Sequence, residues 1–243
     1  MSVVTNSSNM LIKVRKLIDH ANSTNVEAER MSFLAKAQEM MQKFAISEAQ
    51  LEATKQTTER KPIDIVVQMP KIVGKNAIVS LSCNIANINR GFVSRSYGNS
   101  IRFSGMPEDV SFMELLFTSL ILFAEQEYER IKGNRPTWTH QRTYKANFYE
   151  GFCGRIRDRL KSESHKVTTE TNGTDLVLLK GVQDRVLEDV RIRLGIKAKY
   201  FTRRVDTSYC ESGRNAGYKA GSKADLTGGS RRGVNGSRGL LNV

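Results

Sequence analysis

The chain has 243 residues, 39% hydrophobic and 26% charged, which is enough length and apolar content for a packed core and excludes a disordered chain. Its 4 prolines follow no tripeptide period, and its longest apolar run, within Phe112–Ala124, is broken by Glu114, Thr118 and Ser119; a collagen-like chain and a membrane span of ~20 apolar residues are both excluded. A net charge of +13 and a pI near 9.8 point to a polyanionic partner.

The first expected element is a helix over Met10–Ala21, where Leu11, Val14, Leu17 and Ile18 recur at steps of three and four. Asn22–Asn25 is a turn, and Thr24 with Glu27 makes a capping-box pattern. A second helix follows over Val26–Phe44, with Ala28, Met31, Leu34, Ala35, Met41 and Phe44 along one stripe. The two form a helical hairpin. Gln50–Lys61 is polar and reads as a linker. Ile63–Met69 is β-branched and stops at Pro70, which predicts a strand. Asn76–Asn87 predicts a short helix capped by Asn76, with a strand as the alternative. Phe92–Tyr97 and Ser100–Ser104 flank Gly98-Asn99, a β-hairpin signal.

Pro107 suits the first helical position, and Glu108 and Asp109 suit the first turn. That helix should run to about Lys132 through the core and stop at Gly133-Asn134. Thr137–Ser164 predicts another long helix, with Trp138, Tyr144, Phe148, Phe152, Ile156 and Leu160 as its buried stripe. Gly151 and Gly154 are each costly in a helix interior, by about 1 kcal/mol relative to Ala, so both suggest close packing against another backbone. Asp175–Leu179 reads as a strand, Val182–Leu194 as an amphipathic helix, Lys197–Val205 as a basic strand and Ser208–Leu226 as a helix. The end, residues 227–243, is Gly/Ser/Arg-rich. These elements predict a mainly helical α+β protein. Its parts are a helical hairpin domain over 1–50, a linker over 51–61, a central domain with a small sheet over 62–195, and a basic C-terminal region over 196–243.

The hairpin resembles an uncharacterised domain-of-unknown-function family of bacteriophage and actinobacterial proteins. The resemblance rests on Lys13, Lys16, Leu17, Ile18, Ala21, Ser23, Thr24, Asn25, Glu27, Ala28, Lys36, Ala37, Met40, Met41 and Ile46. His20 stands where an apolar residue is more usual. Three later stretches are similar to what often follows that hairpin: 103–126, 148–160 and Gly213–Leu226. The resemblance implies a phage or mobile-element origin and no particular chemistry.

Charge is concentrated at the end of the chain, where residues 191–243 hold 12 basic and 3 acidic side chains. Gly213, Gly217 and Gly221 recur every four residues beside Ala216, Ala220 and Ala224, a nearly bare helix ridge with Arg214, Lys219 and Lys223 off it. Such a ridge fits a helix pressed against nucleic acid, with the cations on phosphates; it fits tight helix–helix packing as well. Arg231, Arg232 and Arg238, each near glycine, resemble segments that bind single strands, or form a solvated tail. Arg203 and Arg204 lie beside Tyr200, Phe201 and Tyr209, a basic–aromatic mixture suited to stacking and phosphate contact, or to a half-buried strand. Arg155 and Arg159 share a helix face, which reads as phosphate-binding or as simply solvated.

Catalytic signatures are missing from the sequence. His20, His140 and His165 are isolated, Cys83, Cys153 and Cys210 are far apart, and no HExxH, CxxC, GxSxG or phosphate-loop pattern occurs. Three separated cysteines suggest neither a disulfide framework nor a zinc cluster, and fit a reducing compartment. The N-terminus has no basic stretch before an apolar core, so no secretory leader is expected. The expectation is a non-enzymatic protein without cofactor or metal that binds DNA or RNA through phosphate contacts, in a host-cell cytoplasm or with a virion. The alternative is a virion or assembly protein, or an inhibitor that binds a host factor.

Overall fold

A computed structural model of the chain describes residues 61–69, 74–96, 98–170, 173–195, 209–224 and 226, with residues 12–14, 16, 17, 20, 33, 36, 37, 39, 40 and 43–45 of the N-terminal segment. The described residues below 46 are helical. The His20 ring stacks on Phe33 with centroids 5.8 Å apart, which links the two predicted helices. Val14 and Ala37 are buried in the main core. The predicted turn at Asn22–Asn25, its capping box and the linker up to residue 60 lie outside the described residues.

Strands β1 (Ile63–Gln68), β2 (Phe92–Arg95) and β3 (Ser100–Gly105) form an antiparallel sheet in the order β1-β3-β2. The predicted hairpin is present, with Gly98 at φ 71 in its turn, a conformation that suits glycine. Register places Ile65, Phe103 and Val93 side by side, and Val67 beside Ile101. Adjacent residues face opposite ways, so this row forms the core side of the sheet, where Ile101 and Phe103 are fully buried.

Helix α1 (Lys75–Ile88) joins β1 to β2 and is capped differently from the expectation. Gly74, not Asn76, is the capping residue. It sits at φ 90 without a side-chain cap, and its carbonyl accepts the Ala77 N–H at 3.0 Å. The helix ends with the Gly91 N–H reaching back to the Ala86 carbonyl at 2.8 Å, the bond of a Schellman turn. Arg90 occupies the left-handed position of that turn at φ 57, where glycine is usual. Its guanidinium is buried on Asp109, with Nε donating to Oδ2 at 3.2 Å and Nη2 to Oδ1 at 2.5 Å. The ion pair holds Arg90 in a conformation its backbone would otherwise leave.

Helix α2 (Pro107–Ile131) starts on Pro107 as expected, with Glu108 and Asp109 in the first turn, and passes into a 3-10 turn at Lys132–Asn134. Val110, Met113, Leu116, Phe117, Leu120 and Ala124 are buried. Phe117 meets Phe103 edge-on at 5.6 Å, joining α2 to the sheet. Helix α3 (Gln141–Glu170) begins later and ends later than the sequence suggests. Tyr144, Phe148, Phe152, Ile156 and Leu160 are its buried stripe, as expected, but Trp138 is not part of it. Trp138 precedes the helix and is 86% exposed.

Helix α4 (Gly173–Leu194) corrects another expectation: Asp175–Leu179 is helical, not a strand. Its Leu-Val-Leu-Leu run is apolar enough for either element, and the helix continues through Lys180-Gly181 into the downstream period. Val186 and Val190 pack with Met106 beside Phe92, on the sheet face opposite the main core. At the end of α4, Arg193 donates to Asp64 of β1 through Nη1 at 2.7 Å and Nη2 at 3.0 Å. Burial alone would raise the Asp64 carboxyl, but this fork and the Ser104 hydroxyl at 2.6 Å outweigh it and hold the group below its ordinary value. The expected strand Lys197–Val205 lies outside the described residues.

Candidate nucleic-acid interface

Helix α5 (Glu211–Lys223) carries the glycine ridge, and the ridge is buried. It lies directly against the backbone of α3. A Cβ on Gly213 would stand 2.7 Å from the Tyr144 carbonyl oxygen, one on Gly217 1.9 Å from that of Phe148, and one on Gly221 2.9 Å from that of Phe152. Each four-residue step along α5 meets a four-residue step along α3 in the same sense, so the two helices run parallel. Gly151 answers from α3, where a Cβ would fall 2.0 Å from the Arg214 carbonyl oxygen. Gly154, expected to pack closely too, faces open space. The ridge therefore belongs to helix–helix packing, and it is not the surface a nucleic acid would touch.

Two of the arginines on the predicted α3 face hold this docked helix. Arg159 Nη1 donates to the carbonyls of Gly221 at 2.8 Å and Ala224 at 2.6 Å, groups that the end of α5 leaves without intrahelical partners. Arg155 Nε donates to the Ser222 hydroxyl at 3.0 Å, and its guanidinium lies 5.0 Å from the centre of the Tyr218 ring. Arg155 and Arg159 are thus engaged with α5 across a half-buried seam.

With its small residues turned inward, α5 presents Arg214, Asn215, Tyr218, Lys219 and Lys223 outward. Among the described residues none of the three cations forms an ion pair. Some exposed cations elsewhere sit on acids, Arg130 on Glu127, Lys132 on Glu129 and Arg191 on Glu188, whereas Lys75, Arg142, Lys161 and Lys180 are also exposed and form no ion pair among the described residues. The remaining predicted binders, Arg203, Arg204, Arg231, Arg232 and Arg238, lie outside the described residues.

A cleft of about 610 Å³ opens beside the start of α5, between the loop before α3 and residues 209–212. Trp138, Thr139, His140, Tyr209, Cys210 and Glu211 line it. Arg135 fixes the loop by donating Nη1 to the Thr139 carbonyl, and the Thr139 N–H donates to the Pro136 carbonyl at 3.0 Å. The Arg142 N–H donates to His140 Nδ1 at 3.2 Å, which leaves Nε2 as the second nitrogen of the ring. Cys210 is the capping residue of α5, with its Sγ 3.3 Å from the Ser212 hydroxyl. Burial would raise its thiol, but hydrogen bonds from Ser212, Gly213 and Thr139 outweigh this and hold it below the ordinary thiol value. Cys83 and Cys153, by contrast, are pushed up by burial. The cleft was not legible in the sequence; its only signal is that the single tryptophan directly precedes a helix start.

Among the described residues no group of three or more His, Cys, Asp or Glu is placed to hold a metal ion. Nor is any described helix long and apolar enough to cross a membrane. The fold is that of a mainly helical α+β protein with a small antiparallel sheet. A family model described as "Protein of unknown function (DUF2786)" matches residues 9–48, the N-terminal helical segment. No curated protein and no solved structure matches the chain.

Proposed function

We propose that the protein is a non-enzymatic nucleic-acid-binding protein that holds DNA or RNA by its phosphates along the outer face of α5. The observation that carries this reading is the exposed set Arg214, Lys219 and Lys223, which forms no ion pair among the described residues. Lys219 and Lys223 lie one turn apart on one side of a helix docked by its own backbone, and Arg214 lies on its other flank, so a phosphate backbone, a line of negative charge, could cross α5 between them. Arg203, Arg204, Arg231, Arg232 and Arg238 belong to the same basic end of the chain and would extend the contact. The setting of the proposal is phage infection, in the host cytoplasm or with the virion; the resemblance of the N-terminal hairpin supports it.

Fluorescence anisotropy with labelled single-stranded DNA, duplex DNA and RNA tests the proposal. With five to eight phosphates contacted, affinity should fall roughly 10²- to 10⁴-fold between about 50 and 200 mM salt. Replacing Arg214, Lys219 and Lys223 together by alanine should reduce the slope of log K against log salt by about 2–3. Affinity that is insensitive to salt, or a slope unchanged in the triple variant, would overturn the assignment to this face. A regular oligomer with only weak nucleic-acid affinity would favour an assembly protein instead.

A further inference from the structure

We infer that the cleft walled by Trp138 and Tyr209 is a stacking site for an unpaired nucleobase, which makes the protein prefer single strands. The inference rests on the phosphate-binding reading of α5 and adds to it a place for the base.

The first support is the exposure of two large aromatic side chains at one cleft. Trp138 is 86% exposed and Tyr209 65%, whereas Tyr128, Phe148, Tyr149 and Phe152 are almost wholly buried. Neither exposed ring makes a ring contact among the described residues. Flat aromatic faces on a surface are the usual platform for bases of single-stranded nucleic acid. The loop that carries Trp138 is held by Arg135 on the Thr139 carbonyl, so the ring sits on a fixed support. A volume of about 610 Å³ lies within the usual 300–1,000 Å³ range of ligand clefts.

The second support is how charge is distributed. Inside the cleft, Glu211 and the hydroxyls of Thr139, Thr143 and Ser212 are polar, no Lys or Arg is among the lining residues, and His140 is the lining side chain able to take up a positive charge. A carboxylate repels phosphate and accepts hydrogen bonds from the amino and imino groups of a base edge. Arg214 stands one turn further along α5, exposed and unpaired among the described residues. The phosphate would rest outside on Arg214 while the attached base enters between Trp138 and Tyr209. A duplex keeps its bases stacked and paired, and so cannot make this contact without paying to flip one out.

Trp138 is the only tryptophan of the chain, so its emission reports on the cleft directly. The full chain would be titrated with an oligothymidylate of about 12 nucleotides, an abasic oligomer of the same length and a duplex of that length, with emission and anisotropy recorded together. The oligothymidylate should quench Trp138 and bind roughly 5- to 150-fold more tightly than the abasic strand. Trp138→Ala, and separately Tyr209→Ala, should bring it down towards the abasic level and leave abasic binding unchanged. Both side chains are exposed, so thermal unfolding should not move, which separates a lost contact from a lost fold. Salt-sensitive binding with equal affinity for the two single strands and unchanged emission would overturn the base site while the phosphate reading stood. If none of the three probes bound, both would fall.

Discussion

Replacing Gly217 by alanine tests whether the basic end of the chain is built into the core. The added Cβ would stand 1.9 Å from the Phe148 carbonyl oxygen and 2.9 Å from the Phe152 nitrogen. A carbon normally approaches a carbonyl oxygen no closer than about 3.3 Å, so the shortfall is roughly 1.4 Å. The obstacle is backbone, which cannot swing aside like a side-chain tip, so α5 must move off α3. Overpacking of this kind costs about 1–3 kcal/mol. A gap of 0.5–1 Å further forfeits about a quarter to a half of the dispersion attraction across the seam. Alanine returns about 1 kcal/mol of helix propensity, so a net loss of up to about 2 kcal/mol is expected. With a urea slope of about 3 kcal/mol/M, the unfolding midpoint read by far-ultraviolet circular dichroism should fall by up to about 0.7 M. Gly151→Ala, at 2.0 Å from the Arg214 carbonyl oxygen, should behave alike. Gly154→Ala and Gly181→Ala face open space and should instead raise stability by about 0.5–1 kcal/mol each. If Gly217→Ala were as stable as Gly154→Ala, the reasoning that places α5 backbone to backbone on α3 would be refuted.

Arg159→Ala should cost about 1–2 kcal/mol, because it leaves the Gly221 and Ala224 carbonyls without their charged donor; urea unfolding reads this, and a neutral result would remove the capping role. Iodoacetamide should modify Cys210 before Cys83 and Cys153, with its reaction rising at a pH below the ordinary thiol value. Peptide mass spectrometry across a pH series checks the order, and preferential labelling of Cys83 or Cys153 would contradict it. The lowered carboxyl of Asp64 contributes stability that is complete above its ordinary value of 3.8 and lost as pH falls through the folded value. Asp64→Asn should therefore destabilise the protein at neutral pH and flatten its stability profile below about pH 4; parallel profiles for the two proteins would count against the Arg193 fork.

Local signals were readable where one short segment decides the outcome. Gly98-Asn99 between two strand-like runs gave the hairpin, Pro107 with Glu108 and Asp109 gave the start of α2, and the aromatic and aliphatic spacing from Tyr144 to Leu160 gave the buried face of α3. Asp175–Leu179 misled because a short apolar run has no period of its own; it is the first part of a helix that continues to Leu194. Trp138 misled because it lies on the extrapolated stripe of α3 but before the helix begins, where the Arg135-braced loop turns it outward.

The amino-acid sequence by itself determined that this is a mainly helical protein with a small sheet, that its basic excess lies at one end, and that a bare glycine ridge lies within that end. Tertiary structure decided what the ridge touches. A ridge without side chains suits any backbone equally well, and its pattern does not say whether that backbone is nucleic acid or protein. The carbonyls of Tyr144, Phe148 and Phe152, some seventy residues earlier in the chain, occupy it. That contact leaves Arg214, Lys219 and Lys223 exposed on the two flanks of α5 and engages Arg155 and Arg159 with it. It also brings Tyr209 to Trp138. Period and propensity act between near neighbours along the chain, whereas a surface is made by segments that meet only after folding.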